Sequence, residues 1–300
     1  MGYSAFSKFG RISRDYHVSS GRDLFVLASG SARYNRLLSI LGNDEDGVAR
    51  LYTTVAAALA VAVAGDVVYV CEGHTETITA ALAPAAGVRI VGLGVGLNRP
   101  QITVNGAIDG VSLATAGSSI ENIHFPAPGT DNQTAVIDVS AAGCVIKNIT
   151  AIGSQTAKNV VDMITLASGA NDCVIENVDF KNATVAVNSF LSIEAAVARL
   201  KVKNFRAFGE VATGGIIDAA AATQVDLEDV VVGVTGTAMP AATLDSNPTG
   251  MARNCTFFGT HTTLATNANL GNAMRLDNIK VLEETDGSKS AAIIPAVDVD

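Results

Sequence analysis

Tryptophan is absent from this chain of 300 residues, and only 5% of its residues are aromatic. All five tyrosines (Tyr3, Tyr16, Tyr34, Tyr52 and Tyr69) precede position 70, so the only benzenoid rings beyond Tyr69 are seven phenylalanines. Sugar-binding grooves usually rely on Trp or Tyr, whose rings carry a polar handle. Most of the chain has neither. Charged residues are also scarce, at 16%, which excludes the charge-rich, apolar-poor composition of a disordered chain. Four cysteines are too few for a disulfide scaffold. The longest apolar run, Val55 to Val70, is broken at Gly65-Asp66 and falls short of the roughly 20 residues that cross a bilayer. No membrane association is expected. Met1 to Gly10 lacks the basic-then-apolar layout of a secretory signal, so synthesis in a cytoplasm with reduced thiols is expected.

What the chain does have is small apolar side chains. Hydrophobic residues make up 48%, and there are 28 glycines, which suits an interior of stacked Ala, Val, Ile and Leu. Charge is also distributed unevenly. Residues 1–41 carry six basic side chains against two acidic ones, a net of +4, which leaves −13 of the total −9 on the remainder. A basic arm ahead of an acidic body often marks an interaction tail.

An internal repeat sets the fold class. Alternating apolar residues followed by Asn or Asp recur at Asn122, Asn148, Asn177, Asn204, Asp229, Asn254 and Asn278, with spacings of 26, 29, 27, 25, 25 and 24. Helical repeats are longer, and the leucine-rich consensus is missing. A coil of two or three short strands, each pairing with its counterpart one coil away, fits a unit of this length. Each coil needs a residue in the left-handed backbone region at a corner between strands, and Asn and Asp tolerate that region. Stacked amides can bond along the ladder. Cys144 and Cys173 each stand four residues before their Asn, so they should be vertical neighbours, read as stacked thiols rather than a disulfide.

Upstream, Thr53 or Thr54 can cap a helix in which Val55, Leu59 and Val63 share a face and Gly65 ends it. The run Val67-Val68-Tyr69-Val70, the turn Glu72-Gly73-His74-Thr75-Glu76 and the segment Gly87-Val88-Arg89-Ile90-Val91-Gly92-Leu93-Gly94 follow. This block resembles the opening of the pectate-lyase-like superfamily of right-handed parallel β-helices, and the resemblance spans about residues 50–285. It implies an all-β, single-stranded right-handed parallel β-helix with a short capping helix at about 53–64. It implies no one activity, because that superfamily includes lyases, hydrolases, esterases and inert virion parts. An extended arm at 1–49 and a tail at 286–300 are expected to flank the helix.

The sharpest candidate for chemistry is a second set of acids. Asp138, Asp162, Glu194, Asp218 and Asp245 each follow an apolar residue, at spacings of 24, 32, 24 and 27. If each preceding residue points inward, the acids should form one outward row. Such a row could bind Ca²⁺ or supply an acid/base pair, but no Lys, Arg or His recurs beside it, and a solvated acidic face explains it. Gly92-Leu93-Gly94-Val95-Gly96 has its third Gly misplaced for a dinucleotide loop. No metal spacing of His and Cys is present, so no cofactor is expected.

The basic arm interleaves Lys8, Arg11, Arg14, Arg22, Arg33 and Arg36 with Phe6, Phe9 and Phe25. Its charge is too low, and the body too acidic, for nucleic-acid binding. The expectation is a non-enzymatic protein whose arm docks on another protein. In style it resembles capsid decoration, cement or head-fibre proteins of bacteriophages. The expected partner is a major capsid protein or other virion protein, the expected location is the capsid surface, and a homo-oligomer (dimer or trimer) would cover the open end of the helix. The alternative is a carbohydrate-active β-helix enzyme, such as a tailspike-like depolymerase, working through the acids.

Overall fold

The computed structural model describes residues 21–294 except 44–46, 130–131, 156–157, 183–186, 237, 245, 247, 262–263, 272–273 and 286–287. It is an all-β parallel solenoid of about nine turns, with 7% helix. Sequence-adjacent coils pair in register, and their side chains form vertical columns. One interior column runs Leu24, Val68, Ile90, Ile120, Ile146, Ile175, Val202, Leu227 and Ala252, all buried. Burying each Leu, Val or Ile of this column is worth about 1.5–3 kcal/mol. A second column, Phe125, Ala151, Phe180, Ala207, Val232, Phe257 and Val281, mixes large and small residues. Alanines beside the rings leave room for Phe180 to meet Phe205 edge-on, with ring centres 5.7 Å apart.

The corner ladder forms as the repeat requires. Asn122, Asn148, Asn177, Asn204, Asp229, Asn254 and Asn278 all adopt left-handed backbone conformations, with φ between 49° and 59°. The Asn177 amide donates to Asn148 Oδ1 at 3.1 Å, Asn204 to Asn177 at 2.9 Å, and Asn278 to Asn254 at 2.9 Å. At the start, Asn122 donates to the carbonyls of Gly92 and Gly94. Asp229 has no amide hydrogen to give, so it interrupts the chain of donors.

A second left-handed column is less visible in the sequence because its residue types change. It runs Gly65, Gly87, Gly117, Gly143, Asp172, Arg199 and Gln224. Each backbone N–H in this column bonds across to the next coil, for example Gly65 to the Gly87 carbonyl, Gly117 to Ala142 and Asp172 to Ala198, and Gln224 to the Thr249 hydroxyl. Within it, Arg199 forms a two-pronged ion pair with Asp172.

Just before each corner Asn or Asp stands a charged residue whose sign alternates: Glu121, Lys147, Glu176, Lys203, Glu228, Arg253, Asp277. Ion pairs link Lys147 to Glu176 at 3.6 Å, Lys203 to Glu228 at 3.3 Å and Arg253 to Glu228 at 3.2 Å. In-register stacking would set like charges one rung apart if every coil were identical, and alternation turns that repulsion into attraction.

Both ends depart from the sequence expectation. The strand Asp23–Val26 lies inside the segment expected to be an extended arm, and it pairs with Leu51–Tyr52 and Val67–Val70. The helix Tyr34–Leu41 follows it. The helix expected over 53–64 is only Val55–Leu59, capped by Thr54, whose hydroxyl accepts from the Ala57 N–H at 3.2 Å. Val63 is exposed rather than on the buried face, because its N–H is drawn to Asp66 at 2.9 Å. Part of the expected tail is ordered as well: Ser288–Ile294 pairs antiparallel with Ile279–Thr285, covering the edge of the last coil.

Asn177→Ala should lower stability by about 1–2 kcal/mol in a denaturant titration, and Asn177→Gly by less, because glycine keeps the left-handed corner and loses only the two amide bonds to Asn148 and Asn204. Asp229→Asn should restore the missing donor and raise stability by about 0.5–1 kcal/mol. Lys203→Glu would set three carboxylates in succession and should lower the thermal midpoint more than Lys203→Gln.

Candidate functional site

The acids lie on the sheet built from Val111–Leu113, Gln133–Val139, Lys158–Leu166, Val187–Ile193 and the end of Lys201–Asp218. Asp138 stands in the column with Ser112 and Thr165, and accepts a hydrogen bond from Thr165 Oγ1 at 2.6 Å. Asp162 stands with Ala135 and Ser189 and is 5% exposed. Ser189 Oγ donates to it at 2.6 Å and Asn188 Nδ2 at 3.1 Å. Asn188 in turn accepts from Thr213. Glu194 is exposed, just past the buried Ile193. Asp218 pairs in register with Ile193 itself and accepts from the Ser246 N–H at 3.3 Å. Asp245 lies outside the described residues.

The acids therefore do not form one row. A rung here is 27 residues, as in the pairs Asp138–Thr165 and Asp162–Ser189, and 25 at the pair Ile193–Asp218. The acid spacings of 24, 32 and 24 miss these rungs by odd numbers, and an odd offset moves a side chain to the other phase of the strand. The rule that an acid follows an inward residue fails at Asp162, itself buried, and at Asp218, which follows the outward Ile217.

Four carboxylates nevertheless gather electrostatically. Burial pushes the carboxyl of Asp109 above its ordinary value, and the charge of Asp138 adds to the rise. Burial also raises Asp162, against the lowering effect of its Ser189 and Asn188 donors. Glu194, exposed but partly desolvated by its neighbours, is raised by that desolvation and then by the charges of Asp162, Asp138 and Asp109. Asp109, outside the five acids named above, carries the same sequence signal, an acid directly after an apolar residue, Ile108. Perturbed carboxylates of this kind concentrate at functional sites. Among the described residues, no three His, Cys, Asp or Glu side chains are grouped to hold a metal ion.

The arm residues divide into two groups. Phe6, Lys8, Phe9, Arg11 and Arg14 lie outside the described residues. The other four are placed. Arg22 makes a salt bridge to the buried Asp66 at 2.8 Å and also donates to the Val61 carbonyl at 2.7 Å. Together with the backbone N–H groups of Val63 and Arg22, it holds the Asp66 carboxyl below its ordinary value despite burial. Phe25 is buried and stacks on Tyr69 with ring centres 5.4 Å apart. Arg33 donates to the Glu72 carbonyl at 2.7 Å. Arg36 is exposed. Arg22 and Phe25 thus serve the first coil, and a docking surface must draw on other side chains.

All four cysteines are free and buried. Cys144 and Cys173 are neighbours in adjacent coils, as their spacing implied. The Cys173 thiol donates to the Ala141 and Asn171 carbonyls at 3.5 and 3.4 Å, and the Cys144 sulfur lies 3.6 Å from the Ser118 hydroxyl. No helix among the described residues is long and apolar enough to cross a membrane. No family model matches the chain, and no curated protein matches it.

Because Glu194 has a raised folded value, its charged form costs stability once the pH exceeds that value, and the cost vanishes as the pH falls through it. Glu194→Gln should therefore raise the thermal midpoint at pH 7 by about 1–2 °C, a small shift because the side chain is largely in water. The difference from the parent protein should close as the pH approaches the ordinary glutamate value of 4.5.

Proposed function

We propose that this chain is a non-enzymatic structural protein of a bacteriophage virion. It is a right-handed parallel β-helix of the pectate-lyase-like type, and it docks on the capsid surface through its basic N-terminal arm as a decoration, cement or head-fibre protein. The observation that carries this reading is how the solenoid uses its polar side chains. Corner amides bond to corner amides, and charges of alternating sign pair along the outer column. Even the buried Asp162 is satisfied by Ser189 and Asn188. Side chains so engaged make a stiff, ordered rod, which suits a part whose work is to hold shape. The large rings Phe125, Phe180, Phe190, Phe205 and Phe257 are fully buried in the core, which further favours a packing role for the aromatics over sugar stacking.

In this reading the residues ahead of the first coil meet an acidic protein surface, with Lys8, Arg11 and Arg14 supplying charge and Phe6 and Phe9 supplying apolar contact. The protein is made in the host cytoplasm and assembles onto the shell, as a dimer or trimer. Because Arg22 and Phe25 belong to the first coil, the informative deletion removes residues 1–20 and stops there. The shortened protein should keep its β-rich circular dichroism and lose co-sedimentation with capsid shells. Undiminished pelleting would refute the anchor.

One observation favours a second reading, a polysaccharide-cleaving β-helix: the raised carboxylates of Asp109, Asp162 and Glu194 around Asp138. Clustered carboxylates, some with raised proton affinity, are the equipment of glycoside hydrolysis. Cleavage of host surface polysaccharide that disappears in the Asp138→Asn, Glu194→Gln double variant would establish that reading in place of the first.

A further inference from the structure

Arg99 lies between the short 3-10 turn Gly96–Asn98 and the strand Gln101–Val104, on a different sheet from the acids. Its Nη1 donates to Thr150 Oγ1 at 3.1 Å. His124 Nδ1 lies 2.8 Å from that same oxygen and 3.3 Å from the Thr150 carbonyl oxygen. One hydroxyl thus orients two basic side chains. The His124 backbone is fixed as well, its N–H donating to the Pro100 carbonyl at 2.9 Å.

The guanidinium is otherwise unspent. Arg99 Nε is buried and meets no acceptor, and among the described residues no carboxylate forms an ion pair with Arg99. The acid on this column, Asp179, stands one rung beyond Thr150 and faces Arg206 in the next coil. Burial draws the Arg99 guanidinium below its ordinary value, and burial followed by the Arg99 charge does the same to His124. Two basic groups therefore lose water beside one another, and among the described residues no acid pairs with either. Buried donors without acceptors are rare in folded proteins, and each calls for an explanation, such as an ordered water or a bound ion. Arginine is the side chain whose planar fork matches an oxyanion.

We propose that Arg99 and His124, oriented by Thr150, form a binding site for an oxyanion, carried either as a carboxylate or as a tetrahedral sulfate or phosphate. Arg99 presents its remaining N–H groups to the anion, and His124, whose Nδ1 accepts from the Thr150 hydroxyl, donates from Nε2. The site does not depend on the functional reading above, since it uses neither the arm nor the acids.

The test is a titration of the full-length protein with sodium acetate and, separately, sodium sulfate at constant ionic strength set by chloride, following the His124 ring resonances by NMR. A saturable shift is expected with at least one probe. The preferred probe tells a carboxylate ligand from a tetrahedral one. Arg99→Met should weaken the binding at least about tenfold, as expected for loss of a charged hydrogen-bonding partner. If that variant does not fold, His124→Gln, which keeps Arg99, should still bind more weakly than the parent by calorimetry. Shifts that stay linear in concentration for both probes, or saturable binding unchanged in a folded Arg99→Met protein, would overturn the assignment.

Discussion

In-register parallel pairing sets every side chain one rung, about 4.8 Å, from its counterpart in the next coil, and the rest of this structure depends on that constraint. Apolar columns satisfy it at once, because like packs on like. Polar columns must solve it. The corner asparagines do so by being both donor and acceptor, so that identical residues bond to one another. The charged column just before them cannot repeat itself, and it alternates sign instead. Two adjacent positions of the same coil thus meet one geometric demand in opposite ways, each set by the chemistry of its side chain.

How much of this was legible in the sequence follows from the same distinction. The Asn ladder could be read because one residue type both tolerates the left-handed corner and bonds to itself, so selection of one type at one spacing leaves a visible period. The second left-handed column does the same backbone work with Gly117, Gly143, Asp172, Arg199 and Gln224. No single residue type is needed there, since exposed polar side chains can bear the strain when the neighbouring pairing is good, and no pattern survives to be read. The alternating charges were present in the repeat, as Glu121, Lys147, Glu176 and Lys203, but a search for sameness passes over a column whose rule is difference.

The acids show the opposite failure. Each follows an apolar residue, and that local regularity suggested one outward row. Rung lengths vary by a few residues along the solenoid, and face depends on the parity of the offset, so a regular local motif did not become a regular column. Proximity survived where alignment did not: Glu194 still feels Asp109, Asp138 and Asp162. At the N-terminus, Arg22 and Phe25 looked like members of a basic-aromatic arm because composition does not record pairing. Asp66, forty-four residues downstream, claims Arg22, and Tyr69 claims Phe25, both through strand contacts that no local window contains.

The near-constant spacing of the coils has a kinetic meaning. Most strand partners lie one coil, about 26 residues, apart, which is about a tenth of the chain. All-β domains usually fold slowly because their contacts join distant parts of the sequence. Here the typical contact is as local, relative to length, as in a helical bundle, and each coil interacts chiefly with its immediate neighbours. The chain can therefore gain order one coil at a time, with the closure entropy of each step the same as the last. Growth of this kind needs no global collapse, and it can keep pace with a ribosome delivering the coils in sequence.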